Sequence, residues 1–138
     1  MKAIDIKNNY MVLLQLADKR LPVKLAFAIS RNLAKLAPEV EMIEKQREKL
    51  CEEFAESKDG KPVMIESVID GQKMSGYKIA EERSDDFQAQ IRDLFDTEVA
   101  VDIMMVSPAV LDLLDSDRYD PLTPAQLAGL EWMIEENA

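Results

Sequence analysis

The N-terminal part of the chain shows the hydrophobic spacing of helices. A first helix is predicted to begin at Asn8 or Asn9, which can cap it, and to end near Arg20. It should end there because Pro22 disfavours helical geometry in the residue before it. The shorter stretch 2–6 alternates polar and apolar residues, which predicts a short strand.

A second helical segment follows Pro22. Its apolar residues recur at spacings of four, four and three, and they define one buried stripe: Leu25, Ile29, Leu33 and Leu36. The apolar face continues beyond Pro38, which should kink the helix. The pattern therefore predicts a long kinked helix pair over 22–56.

The pattern changes after Pro62. Two alternating stretches around Asp70-Gly71 predict a β-hairpin over about 63–79, because both turn positions tolerate positive φ. Residues 98–106 look like a third strand. Three short helices, each preceded by a hydroxyl residue that can cap it, are predicted at 85–96 after Ser84, 109–114 after Ser107 and 125–135 after Thr123.

These elements predict an α+β fold, in which a long kinked N-terminal helix pair accompanies a small antiparallel sheet and short flanking helices. The length of 138 residues suits one domain. We expect it to comprise a helical half over about 8–57 and a half with the sheet and short helices over about 62–137.

Composition narrows the chemistry. The chain has no His, which removes the usual proton shuttle, the commonest zinc ligand and the Ser-His and Cys-His nucleophile pairs. Cys51 is the single cysteine and cannot form an intramolecular disulfide. We expect a non-enzymatic protein without metal or cofactor. Neither a signal peptide nor a membrane-spanning run is evident, which predicts a cytoplasmic location.

Charge divides the sequence. Residues 1–37 carry seven Lys or Arg against two acidic residues, whereas 38–138 carry ten against twenty-five. Such asymmetry bears on partners and solubility rather than on fold.

One basic stripe lies in the positive segment. Its members are separated by four, seven and four residues, and would share one helix face: Arg20, Lys24, Arg31 and Lys35. This face could bind phosphate or an acidic partner, or it could be the solvated side of an amphipathic helix. Direct nucleic-acid binding is not expected, because the net charge of −10 opposes it.

Acidic residues form a second stripe at spacings of three, four and four: Glu41, Glu44, Glu48 and Glu52. Their spacing of about 5–6 Å is of the order of successive phosphates on a nucleic-acid strand. The stripe could therefore occupy an arginine-lined groove, or it could be an ordinary salt-bridged helix face. A second acidic patch consists of Asp112, Asp115 and Asp117.

Two acidic pairs also echo the motifs of magnesium-dependent nucleotide pyrophosphatases. They are Glu41 with Glu44, and Glu82 with Asp85. Carboxylates three residues apart on a helix can point at one Mg²⁺ ion. Such pairs are, however, common in a chain with 27 acidic residues.

Four stretches together resemble a family of small phage and prophage proteins that includes type II-A anti-CRISPR proteins of gut-bacterial mobile elements. They are residues 21–33, 44–47, 98–103 and 122–134. The resemblance implies a stoichiometric inhibitor that binds the RNA-guided nuclease of its host. Those nucleases hold nucleic acid in positively charged channels, which an acidic face could enter.

The leading hypothesis is therefore an inhibitor of host defence that binds a type II nuclease, or another basic protein surface, through its acidic residues. Three alternatives remain open. They are a sponge for a nucleotide signal that uses the basic stripe, a phage structural or assembly factor, and the magnesium pyrophosphatase. Self-association of the chain also remains open.

Overall fold

A computed structural model describes residues 1–136. Its contacts divide the chain into two compact units. We call Met1–Glu41 together with 98–136 the terminal unit, and Met42–Thr97 the central unit. The α+β class is confirmed, whereas the prediction of a single domain over 1–138 stays a prediction.

Helix α1 spans Ala3–Leu16 in the terminal unit. The predicted strand over 2–6 is wrong, as are the caps at Asn8 and Asn9, because the helix has already begun there. Its buried residues are Ala3, Ile6, Leu13 and Leu16. The short stretch 2–6 also fits the start of a helix whose first and fourth residues, Ala3 and Ile6, are buried, and the structure forms that helix.

Helix α2 spans Val23–Phe54 and contains Pro38 without interruption. The long N-terminal helix is thus confirmed, although it is one continuous helix rather than a pair. Proline cannot donate the bond that the carbonyl four residues earlier would accept. Ala34 and Pro38 are both exposed, so water can reach that carbonyl and the helix can continue. Residues up to Glu41 belong to the terminal unit and the rest to the central unit.

The predicted strand over 98–106 is wrong. The segment forms isolated bridges only at its ends, where Glu98 pairs with Lys2 and Val106 pairs with Ile134. Between them, the side chain of Asn32 takes the place of a neighbouring strand. Its Oδ1 accepts from the Met104 N–H at 2.8 Å, and its Nδ2 donates to the Met104 carbonyl at 3.0 Å.

Short helices complete the terminal unit. Helix α4 spans Ala109–Asp112 and continues as a 3₁₀ turn over Leu113–Asp115, close to the prediction. Helix α5 spans Pro124–Ala128, and Thr123 and Gln126 form a capping box at its start.

Helix α5 is much shorter than predicted. The chain leaves it at Gly129, where a Cβ atom would come within 2.9 Å of Cγ1 of Val12 in α1. A 3₁₀ turn over Glu131–Met133 follows.

The central unit contains two small antiparallel pairs. Strands β1 (Ser57–Lys58) and β2 (Lys61–Pro62) form the first pair, which the sequence pattern did not predict. Strands β3 (Met64–Ile69) and β4 (Gln72–Tyr77) form the predicted hairpin. Asp70 and Gly71 join them with φ values of 52° and 78°, so the predicted turn is confirmed.

Helix α3 spans Ser84–Asp96, as predicted, but Ser84 is its first residue rather than its cap. A 3₁₀ turn over Glu81–Arg83 precedes it, and the Ser84 N–H donates to the Glu81 carbonyl. The chain is therefore already turning before α3 begins, and the hydroxyl is not needed as a cap.

Aromatic packing joins α2 and α3 within the central unit. The rings of Phe54 and Phe87 lie 5.8 Å apart between centroids. Arg83 places its guanidinium carbon 4.3 Å from the Phe54 centroid and donates to the Glu53 carbonyl at 2.8 Å. The guanidinium of Arg83 thus covers the C-terminal end of α2 at Phe54.

Candidate functional site

The fold redistributes the charge division seen in the sequence. In the terminal unit, seven basic and four acidic residues of Met1–Glu41 are joined by one basic and nine acidic residues of the C-terminal segment. Eight positive charges against thirteen negative give this unit −5. The central unit has nine against fourteen, also −5. The division along the chain is therefore not a division between the units.

The four glutamates of the acidic stripe all lie on α2. Glu41 belongs to the terminal unit, and the other three belong to the central unit. Glu44 is half-buried, whereas Glu48 and Glu52 are exposed.

Glu44 is occupied by an ion pair. Its Oε2 accepts from Nε of Arg47 at 2.9 Å. This hydrogen bond raises the pKa of the Arg47 guanidinium, while partial burial acts in the opposite direction. Arg47 also reaches Sγ of Cys51 from Nη1 at 3.7 Å. The ion pair between Arg47 and Glu44 holds both side chains in place on α2, so the Glu44 carboxylate is already engaged within the protein.

Glu48 and Glu52 differ from Glu44. Within residues 1–136, neither carboxylate has a Lys or Arg nitrogen within 4.0 Å. They lie one helical turn apart, so their Cβ atoms are separated by about 5–6 Å. We call these two residues the glutamate pair. It is the part of the predicted stripe that is exposed and has no ion pair within 4.0 Å, although the charges of Glu48 and Arg47 interact at longer range.

The second predicted acidic patch lies in the terminal unit. Asp112 ends α4, Asp115 ends the following 3₁₀ turn, and Asp117 comes two residues later. All three are exposed. We call them the aspartate loop. It belongs to a different unit from the glutamate pair, and each is an acidic surface of its own unit.

The predicted basic stripe is only partly formed. Arg20 precedes α2, and its backbone pairs with Asp120: its N–H donates to Oδ2 at 2.6 Å and its carbonyl accepts from the Asp120 N–H at 2.8 Å. Its place on the helix face was therefore a wrong prediction. Lys24, Arg31 and Lys35 lie on α2 and are exposed, as the pattern predicted.

These three cations border an open groove within the terminal unit. One cavity of about 380 Å³ is lined by Arg31 and Lys35, and an adjoining cavity of about 530 Å³ is lined by Lys24. Phe27 and Met104 line both cavities. Phe27 is 53% exposed, and the Arg31 guanidinium carbon lies 5.9 Å from its ring centroid.

Asn32, Phe27, Asp102 and Met104 line the groove and were not predicted as site residues from the sequence. Asn32 is fully buried within the predicted apolar stripe, and its amide also reaches Sδ of Met133 at 3.7 Å. A polar residue between Ile29 and Leu33 could have indicated a buried hydrogen-bonding role. The exposure of Phe27 carries no such signal, because a lone aromatic on a helix is usually buried.

The acidic pairs of the pyrophosphatase hypothesis are not gathered into one centre. Glu82 lies in the 3₁₀ turn before α3, and Asp85 lies in the first turn of α3. Among residues 1–136, no group of three or more Cys, Asp or Glu side chains is placed to hold a metal ion. The structure gives this alternative no support.

Comparison with protein-family models, with curated proteins and with solved structures finds no match to this chain. Over residues 1–136, no helix combines the length and the apolar character that crossing a membrane requires.

Proposed function

We propose that the protein is a stoichiometric inhibitor that binds a basic, nucleic-acid-binding surface of a type II RNA-guided nuclease. The observation that carries the proposal is the glutamate pair, two exposed carboxylates of α2 with no cation within ion-pair distance among residues 1–136. The sequence resemblance to anti-CRISPR proteins supplies the class of partner. Inhibition by binding needs no catalytic group of the inhibitor itself.

The physical basis is charge complementarity. An RNA-guided nuclease holds its heteroduplex in a positively charged channel and reads the adjacent motif through arginines. Carboxylates that are already paired would have to give up their partners before meeting those arginines. Glu48 and Glu52 have no ion pair within 4.0 Å to give up, although the charge of Glu48 also acts on Arg47. Their spacing along the helix lets two cations of the nuclease bind side by side.

The aspartate loop has a secondary role in this proposal. Its carboxylates are exposed and add to the negative field of the protein. Such a field accelerates association with a basic surface and is screened by salt. We expect the loop to affect mainly the association rate, and the glutamate pair to affect mainly the dissociation rate.

The proposal is tested with DNA cleavage by a purified type II effector loaded with guide RNA, with and without an equimolar amount of the protein. We expect cleavage to stop near a one-to-one ratio. The double variant Glu48→Lys, Glu52→Lys should restore cleavage at that ratio.

The matched control is Glu66→Lys with Asp93→Lys, which changes two other exposed carboxylates of the central unit by the same charge. This control should still inhibit. Full cleavage in the presence of excess wild-type protein would contradict the proposal. Equal loss of inhibition in both double variants would show that overall charge acts rather than the glutamate pair.

A further inference from the structure

The groove of the terminal unit combines cationic side chains with an exposed aromatic ring, and none of these residues belongs to the glutamate pair. Its smaller cavity lies between α2 and the extended segment that follows Thr97, and the side chain of Asn32 fixes that segment at Met104. The wall of the groove is therefore held by two hydrogen bonds to a fully buried amide.

Two cations line this smaller cavity. Arg31 and Lys35 are one helical turn apart on α2 and both are exposed. Within residues 1–136, neither has a carboxylate oxygen within 4.0 Å. A guanidinium offers a planar fork of donors to phosphate oxygens, and an ammonium adds a compact positive charge. Together they form a place for a phosphate group or a diphosphate.

An aromatic surface lies beside the two cations. Phe27 precedes Arg31 by one turn, exposes half of its side chain and lines both cavities together with Met104. Bases stack on exposed aromatic rings largely without regard to sequence, and a thioether packs well against such rings. A base on Phe27 would place its phosphates beside Arg31, whose guanidinium lies 5.9 Å from the ring centroid.

A single carboxylate completes the cavity. Asp102 is exposed and lines the same space as Arg31 and Lys35. A carboxylate repels phosphate because both are negatively charged. Its oxygens accept hydrogen bonds, so it can pair with sugar hydroxyls or base amino groups. The set of aromatic ring, two cations and one acceptor thus matches the three parts of a nucleotide.

We infer that this groove binds a nucleoside phosphate. The base packs on Phe27 and Met104, the phosphates pair with Arg31 and Lys35, and the sugar or base donates to Asp102. The cavity of about 380 Å³ falls in the size range of small-ligand sites. The net charge of −5 on this unit disfavours an extended polynucleotide, whereas a short ligand mainly meets the local cations.

Calorimetric titration of the full chain with ADP, GDP and UDP tests the inference, with adenosine and inorganic pyrophosphate as partial ligands. We expect at least one nucleotide to bind, and adenosine and pyrophosphate to bind at least about tenfold more weakly, because each lacks one half of the contacts. Phe27→Ala, and the double variant Arg31→Gln, Lys35→Gln, should each weaken nucleotide binding by about tenfold or more.

The matched control is Lys58→Gln with Lys61→Gln, two exposed lysines of the central unit, which should leave nucleotide binding unchanged. All of the altered side chains are exposed, so the variants should fold, and circular dichroism checks this. Three results would overturn the inference: no nucleotide binding below about 1 mM, pyrophosphate binding as tightly as ADP, or tighter binding of an oligothymidine. Because these residues lie outside the glutamate pair, the outcome is independent of nuclease inhibition.

Discussion

The terminal and central units carry the same net charge of −5, but they bury apolar side chains to very different extents. Most of the buried apolar residues that the structure describes belong to the terminal unit. The central unit contributes Ile43, Phe54 and Ala80. The charged surface of the terminal unit therefore lies over a well-packed core. The charged surface of the central unit lies next to a hairpin that buries little apolar area.

Exposed apolar residues sharpen the contrast. Met64 and Val68 lie on one face of the hairpin, and Ile65 and Met74 lie on the other, all between 49% and 68% exposed. An isolated two-stranded hairpin is marginally stable in water. We therefore expect the central unit to open more readily than the terminal unit and to gain more order when a partner binds.

The largest expected effect is on the terminal core. Leu25→Ala should lower the free energy of unfolding by about 2–5 kcal/mol, because Leu25 is fully buried. Val68→Ala, at a position 68% exposed in the central unit, should change it by less than about 0.5 kcal/mol. Urea unfolding followed by far-UV circular dichroism, which reports on the helices of both units, measures both. Equal losses would contradict the contrast between the units.

The next largest effect concerns Asn32. Asn32→Leu should destabilise the terminal unit by about 2–4 kcal/mol, because the N–H and carbonyl of Met104 would each lose a hydrogen-bond partner. Hydrogen exchange at Met104 should accelerate as well. Asn32→Asp serves as a comparison, since it keeps the acceptor for the Met104 N–H and loses the donor. Slow exchange at Met104 in Asn32→Leu would show that another group holds the segment.

A smaller effect is expected at the approach of α1 to the residue after α5. Gly129→Ala should cost about 1–3 kcal/mol, because the added Cβ would meet Cγ1 of Val12 at 2.9 Å. Val12→Ala should remove most of that cost when the two changes are combined. A double-mutant cycle by urea unfolding measures the coupling, and additive costs would argue against the contact.

The smallest effect is expected in the hairpin of the central unit. Gly71→Ala should destabilise the hairpin by about 1 kcal/mol, because Gly71 has a φ of 78°. Gly76→Ala is the matched control in β4, where φ is not positive and an added Cβ meets no atom within 4 Å. Amide exchange along β3 and β4 compares them, and equal protection in both variants would exclude a role for the turn conformation.

Elements with local signals could be predicted from the sequence. Asp70-Gly71 and the Thr123-Pro124 helix start are determined by a few neighbouring residues, and both formed as expected. The strand over 98–106 was wrong because strand formation depends on a partner. Here the partner is the side chain of Asn32, which lies 72 residues from Met104 in sequence.

The candidate sites show the same limit. Helical spacing placed Glu48 and Glu52 on α2, but it could not show that Arg47 would form its ion pair with Glu44 and leave those two without one within 4.0 Å. The groove at Phe27 forms between α2 and the extended segment at Met104. No local sequence pattern predicts where that segment lies, so the groove could not be predicted. Surfaces made by one element were predictable, and surfaces made by two were not.

The most direct test of the central claim is the Kd for a purified, guide-loaded type II effector, measured for three proteins at low and physiological salt. We expect the wild type and the Glu66→Lys, Asp93→Lys control to bind similarly. Glu48→Lys, Glu52→Lys should bind at least about tenfold more weakly, with the largest difference at low salt. Wild-type affinity in that last variant would contradict the assignment of binding to the glutamate pair.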